Sequence, residues 1–164
     1  MSDKKQNIET AVFAAGCFWG VEEIFRTLKG VKETKAGYSG GTIDNPTYEQ
    51  VCTSATNHAE AIQIKFNPTE ISYEKLLEIF WKNHNPTTLN SQGPDVGSQY
   101  RSVVFYTNEI QKKIAEKSKK EIDASGKFKN PIVTEIVPLK KFFDAEEYHQ
   151  KYYFKRGITK TCHT

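Results

Sequence analysis

The chain has 164 residues, with 23 Lys and Arg against 20 Asp and Glu for a net charge of +3, and 37% of its residues are hydrophobic. That length suits a single domain spanning residues 1–164 with a real core and a flexible tail from about 157. The scattered charge argues against nucleic acid or an anionic membrane as partner, and a mean hydropathy of −0.63 without a long apolar run excludes a spanning helix. Met1 to Glu9 is polar and lacks the apolar stretch of a secretory signal. That points to a cytoplasmic location, where thiols stay reduced.

Thr10 to Ala15 is nearly continuously apolar and predicts a strand buried on both faces, central in its sheet. From Cys17 the apolar residues fall at Phe18, Val21, Phe25 and Leu28, a helical period that Gly30 ends. Val31 to Tyr38 reads as a strand, followed by a loop rich in Gly and Asn through about Thr47. Ala59 to Phe66 alternates with period two and is a second clear strand; the loop before it carries Cys52 and His58. Cys52, beside that strand, reads as a packed or half-packed thiol. Tyr73, Leu76, Leu77, Phe80 and His84 mark an amphipathic helix entered from Ser72.

His84 to Gln99 has no period and reads as a long irregular loop, a length more often functional than idle. Ser102 to Thr107 is the next strand. Asn108 with Gln111 resembles a capping box for a helix closed by Gly126, and Ile132 to Val137 is a short strand between two prolines. Asp144 with Glu147 repeats the capping pattern, with Phe143 and Tyr148 as its staple and Gly157 as the helix end. Strands and helices in this interleaving, without strict βαβ repetition, indicate an α+β two-layer domain with a mixed sheet.

The three cysteines are Cys17, Cys52 and Cys162, with no C-x-x-C and no metal-ligand spacing. Cys17 stands where a buried strand turns into a helix. The free N–H groups there and the positive end of the macrodipole favour thiolate, and can bring a cysteine pKa from ~8.5 to between ~3.5 and ~7.5. The alternative is a small cysteine packed at a tight turn. Phe18 and Trp19 weigh against it: two large aromatics at a helix mouth are one more than packing requires, and they can wall a small apolar pocket.

Glu60 lies between alanines at the start of an alternating strand. Burial there raises a carboxyl pKa so that it stays protonated and serves as an acid, whereas an exposed glutamate would do nothing of the kind. Tyr48, Tyr100 and Asp95 sit in loops and are candidate groups to hold an oxygen. His58 and His84 read as structural histidines. Cys162, close to the C-terminus on the predicted tail, has the reach a resolving cysteine needs, or is a tail thiol with no partner.

These residues come with motifs. Gly16-Cys17-Phe18-Trp19-Gly20 and Gly37-Tyr38-Ser39-Gly40-Gly41 resemble the type A methionine sulfoxide reductases. The likeness continues through Pro46-Thr47-Tyr48, His58-Ala59-Glu60-Ala61, His84-Asn85-Pro86-Thr87, Asp95-Val96-Gly97, Gln99-Tyr100-Arg101-Ser102 and Tyr148-His149-Gln150, and so covers nearly the whole chain. The resemblance implies reduction of methionine S-sulfoxide, in proteins and as the free amino acid, with no metal or organic cofactor. It implies a ferredoxin-like core within the α+β sandwich. Cys17 would be the nucleophile, Phe18 and Trp19 would receive the substrate methyl, and Glu60 would protonate the sulfoxide oxygen. Tyr48, Tyr100 and Asp95 would hold or orient that oxygen. Cys162 would resolve the Cys17 sulfenic acid as a disulfide for thioredoxin to reduce. Family members commonly carry Gly where this chain has Asn57; both residues tolerate positive φ.

The competing chemistry is a cysteine hydrolase or acyl transferase with Cys17, His58 and Glu60 as nucleophile, base and orienter. A third possibility is a binding module that reads methionine side chains at Phe18 and Trp19. A reductase consumes thiol equivalents per turnover, a hydrolase consumes none, and a binder makes no product.

Overall fold

The structure is a computed structural model that describes residues 7–157. In the first half the strands are β1 (Glu9–Ala15), β2 (Val31–Ser39) and β3 (Ala59–Phe66), and the helices are α1 (Phe18–Arg26), α2 (Tyr48–Cys52) and α3 (Tyr73–Lys82). The second half holds β4 (Ser91–Gln92), β5 (Asp95–Val96), β6 (Ser102–Tyr106), α4 (Glu109–Ala124), β7 (Glu135–Pro138), β8 (Phe142–Asp144) and α5 (Tyr152–Lys155). The sheet runs β7-β6-β1-β3-β2-β8, parallel only between β6 and β7, so it is mixed and the fold is α+β. β1 is central, as its apolar run requires, with Ala11 to Ala14 wholly buried.

One face of the sheet carries the helices. Phe13, Tyr38, Ile62, Ile64 and Val104 meet Phe18, Val21 and Phe25 of α1, Leu76, Leu77, Phe80 and Trp81 of α3, and Ala115 of α4 in one core. The other face is lined by Val12, Ala14, Ala59, Ala61, Val103 and Phe105, and Val137, Leu139 and Phe142 pack on it. Among the described residues, no helical residue belongs to this second cluster. The Gly-rich motif answers a demand for space. A Cβ on Gly37 would collide with the Phe142 ring, and one on Gly41 with the Thr56 carbonyl.

Ser72 caps α3 through a hydrogen bond from Lys75 N at 3.0 Å. Asn57 takes φ of 60°, the left-handed conformation the substitution for Gly demands. Other expectations are corrected. Helix α1 stops at Arg26, with Thr27 as C-cap, and a turn follows to Gly30 at φ 95°. α2 falls within what reads as loop; its signal is the reciprocal pairing of Thr47 and Gln50 at its start. The 84–99 stretch holds the β4–β5 hairpin and a 3-10 turn at Ser98–Tyr100. Gln111 does not return to its cap: its side chain accepts from Thr107 N and donates to the Thr10 carbonyl, tying α4 to β1.

The C-terminal helix differs most. Asp144 ends β8, Glu147–His149 is a 3-10 turn, and the helix starts only at Tyr152, after Lys151 at φ 50°. Tertiary bonds override the local pattern. Phe143 is drawn into register with Tyr38, and the Gln150 amide accepts from Ala36 N at 2.8 Å and donates to the Ala36 carbonyl at 2.9 Å. The chain is thereby held along the edge of β2.

Candidate active site

Cys17 is the N-cap residue of α1, at the positive end of the helix dipole, and is half-buried. Its side chain makes no capping hydrogen bond to the helix. The first N–H of the helix, that of Phe18, goes instead to Glu60 Oε1 at 3.1 Å. Glu60 reaches it from β3, where it stands opposite Tyr38.

Glu60 is 1% exposed, and its Oε2 has no hydrogen-bond partner among the described residues. Burial drives its pKa up to about 8; the Phe18 N–H bond opposes this and the Asp95 charge reinforces it. At neutral pH it is therefore a buried acid holding a proton.

Tyr48 and Tyr100 both feel the Glu60 charge. Burial first, then that charge, holds both phenols well above their usual range, so both are O–H donors at any ordinary pH. Asp95, in β5, acts on Glu60 and Tyr100, and Cys17 acts on Tyr100. The three candidates expected in loops lie instead at the start of α2 (Tyr48), in β5 (Asp95) and in the Ser98–Tyr100 turn (Tyr100), and all three act on the carboxyl that touches the first turn of α1 or on its neighbours. Tyr48 is placed by α2, and its N–H donates to Glu146 Oε2 at 2.9 Å while Tyr38 Oη–H donates to Oε1 at 2.8 Å. Burial pushes the Glu146 carboxyl up, but these bonds outweigh it and hold it below the usual range.

Phe18 is also 1% exposed and forms a floor rather than an open wall, its ring against Tyr38, Tyr48 and His149. Trp19 is half-buried. Its indole N–H donates to His149 Nδ1 at 2.8 Å and its ring stacks on Tyr152 at 3.7 Å between centroids. Burial lowers the His149 pKa, so the ring is neutral and Nδ1 is free to accept. Glu146, His149 and Tyr152 carried no periodic signal, since the chain that bears them is bent by tertiary contacts; only His149 lay inside a motif.

Cys52 is exposed, not half-packed, because it closes the short α2, whose one buried residue is Val51. It shares a hydrogen bond with Tyr48, and burial with nearby acidic charge raises its pKa despite that bond. His58 is structural, with Nδ1 accepting from Gly41 N–H at 3.0 Å and Nε2 donating to the Ile43 carbonyl at 2.6 Å. Both nitrogens are engaged by main chain, which removes the base from the hydrolase arrangement. His84 is likewise engaged, by the Phe80 carbonyl and Ser102. Cys162 lies outside the described residues.

Residues 9–164 match the model of the family described as peptide methionine sulfoxide reductase. The chain belongs to the peptide methionine sulfoxide reductase family. It is 60% identical over 153 residues to a peptide methionine sulfoxide reductase MsrA of Methanosarcina acetivorans, covering 93% of this chain and 81% of that one. Among solved structures, Mxr1 of Saccharomyces cerevisiae in reduced form superposes with a TM-score of 0.87 at 37% identity, covering 94% of this chain and 89% of that one. The same yeast protein in complex with Trx2 gives 0.64 at 28% identity, covering 92% and 91%. In this reductase the GCFWG cysteine stands at the mouth of α1 and the HAE glutamate is bonded to the first residue of that helix. No helix among the described residues is long and apolar enough to cross a membrane.

Proposed function

We propose that this reductase returns methionine S-sulfoxide, in proteins and as the free amino acid, to methionine, with Cys17 as nucleophile and Glu60 as acid. The observation that carries the assignment is the buried, protonated Glu60 bonded to the N–H that follows Cys17. A sulfoxide oxygen leaves poorly unless it is protonated, so a thiol attacking the sulfur needs an acid at that oxygen. Cys17 sulfur bonds to the substrate sulfur while Glu60, aided by the Tyr48 and Tyr100 hydroxyls, delivers a proton to the oxygen. The substrate S–O bond and the new S–S bond then break as the protonated oxygen passes, as hydroxyl, to the Cys17 sulfur, so that methionine departs with two electrons gained and Cys17, oxidised by two electrons, is left as a sulfenic acid. Asp95 orients the oxygen side of the site, and Phe18 and Trp19 receive the methyl group.

Cys162 then condenses with the sulfenic acid, releasing water and leaving a disulfide that thioredoxin reduces to two thiols. The yeast relative in complex with Trx2 supports that partner. The exposed Cys52 thiol fits a cytoplasmic location, and the motifs spread along the chain support one catalytic domain; the tail expected from about 157 lies, past Gly157, outside the described residues. The decisive experiment is single-exposure mass spectrometry without reductant. One methionine should form per enzyme, with Cys17 and Cys162 joined; product without loss of thiol would overturn the assignment.

A further inference from the structure

Helix α1 carries, beyond Trp19, a second buried carboxyl that the reaction does not use. Glu22, one turn beyond Trp19 on α1, is 1% exposed, and both of its oxygens are bonded. Oε2 accepts from Thr34 Oγ1 at 2.8 Å and Oε1 accepts from the main-chain N–H of Lys151 at 2.7 Å. Lys151 is in the left-handed conformation, uncommon for a residue with a side chain, and such a conformation persists only when its surroundings impose it. Next to it begins α5, which has no buried residue. Among its other holds are Tyr152 on Trp19, Arg26 over the Phe154 ring at 4.4 Å, and Lys155 with Glu147.

We propose that Glu22 is a positioning residue: by gripping Lys151 from inside α1 it keeps Tyr152 flat against Trp19 and so sets the enzyme's affinity for substrate. The inference rests on the assignment of Trp19 to the substrate methyl group. The chain up to Gln150 is fastened to β2, so what Glu22 adds is the direction in which the chain leaves that anchor. Without it the half-buried Lys151 N–H loses its acceptor, and the segment swings out to find water. The indole then loses the ring stacked on it while its nitrogen stays bonded to His149.

The test uses full-length enzyme with Trp81→Phe, so that Trp19 is the one fluorescent indole. Glu22→Leu fills the volume and removes both bonds. Glu22→Gln keeps both, since its amide oxygen accepts from Lys151 and its NH₂ donates to the Thr34 hydroxyl. Lys151→Pro acts from the other side: it removes the N–H and, since proline cannot take a φ of 50°, also abolishes the chain direction held there, so it tests whether that direction matters even should Glu22→Leu fail to fold. Glu22→Leu and Lys151→Pro should shift Trp19 emission to the red, increase its quenching by iodide and raise KM for methionine sulfoxide about tenfold at unchanged kcat, the effect of losing one such bond. Glu22→Gln should match the parent in all three.

Unchanged emission and KM in Lys151→Pro would overturn the proposal, as would a fall in kcat at constant KM. Trp19→Ala separates this from the parent assignment. If it leaves KM unchanged, the site is misplaced; if it raises KM while Lys151→Pro does not, the positioning role alone fails.

Discussion

Two carboxyl groups are tied to helix α1, Glu60 reaching its first residue from β3 and Glu22 borne on its middle, and they are equally hidden. Glu22 has a partner on each oxygen. Glu60 has one partner, on one oxygen, and its other oxygen is buried with none. Burial alone therefore does not separate a structural carboxyl from a chemical one; satisfaction does. A fully bonded group has nothing left to give a substrate. A half-bonded group keeps a raised pKa and an open valence, and the stability it forgoes becomes reactivity.

The largest effect should come from the nucleophile beside the half-bonded carboxyl. Cys17→Ser should leave no measurable reduction, because a hydroxyl cannot replace a thiolate at sulfur, and assays of methionine formation check it. More than trace activity would place the chemistry elsewhere and dissolve the contrast. Glu60→Gln should come next, with the rate lowered by ~10²–10⁴-fold at similar substrate affinity, since the amide keeps the shape and the bond to Phe18 but has no acidic proton to deliver. Single-turnover kinetics measures it.

The pH dependence sharpens the same comparison. The active form of Glu60 carries the proton, so wild-type turnover should fall as pH rises through about 8, and Glu60→Gln should lose that limb. Stability follows the same proton. The carboxyl binds it near 4.5 when unfolded and near 8 when folded, so between those values the native state holds the extra proton and stability falls as pH rises. Above pH 8 Glu60→Gln should thus be more stable than wild type, by on the order of a few kcal/mol, while being less active. Denaturant titrations at pH 5 and pH 9 read both ends.

The smaller effects concern the other thiols. Cys162→Ser should still convert about one equivalent of substrate, then fail to recycle with thioredoxin yet recover with dithiothreitol, which reaches a sulfenic acid directly. Cys52→Ser should cycle nearly as wild type, the smallest change of all. Exchanged phenotypes would make Cys52 the resolver.

What the sequence made legible follows from what periodicity can encode. β3 and α3 stood where their alternation and helical stripe put them, because Ile62, Ile64 and Phe66 on alternate positions of β3 and the stripe of α3 enter the same core. α2 is too short to carry a period and shows itself only at its cap, Thr47 with Gln50. The stretch from Asp144 to Gln150 has good local capping chemistry, yet Glu146 is claimed by Tyr38 and Tyr48 and Gln150 by Ala36, partners about a hundred residues away. The same holds for the site. Cys17 and Glu60 were readable from their own surroundings, whereas the Trp19 to His149 bond joins residues 130 apart and exists only once the sheet is assembled.

The Gln150 amide has one more consequence. β8 is short and pairs with β2 only over Gly37, Tyr38 and Ser39, so the rest of that border strand would present bare peptide groups to any passing extended chain. At Ala36 the glutamine side chain, an amide on a tether, imitates the next strand's peptide and uses up both groups. Further along, charged Lys32, Glu33 and Lys35 take over, two of them tied down by Glu70 and Asp144. A border finished this way resists templating by unfolded polypeptide, a useful property in an enzyme whose substrates include damaged chains.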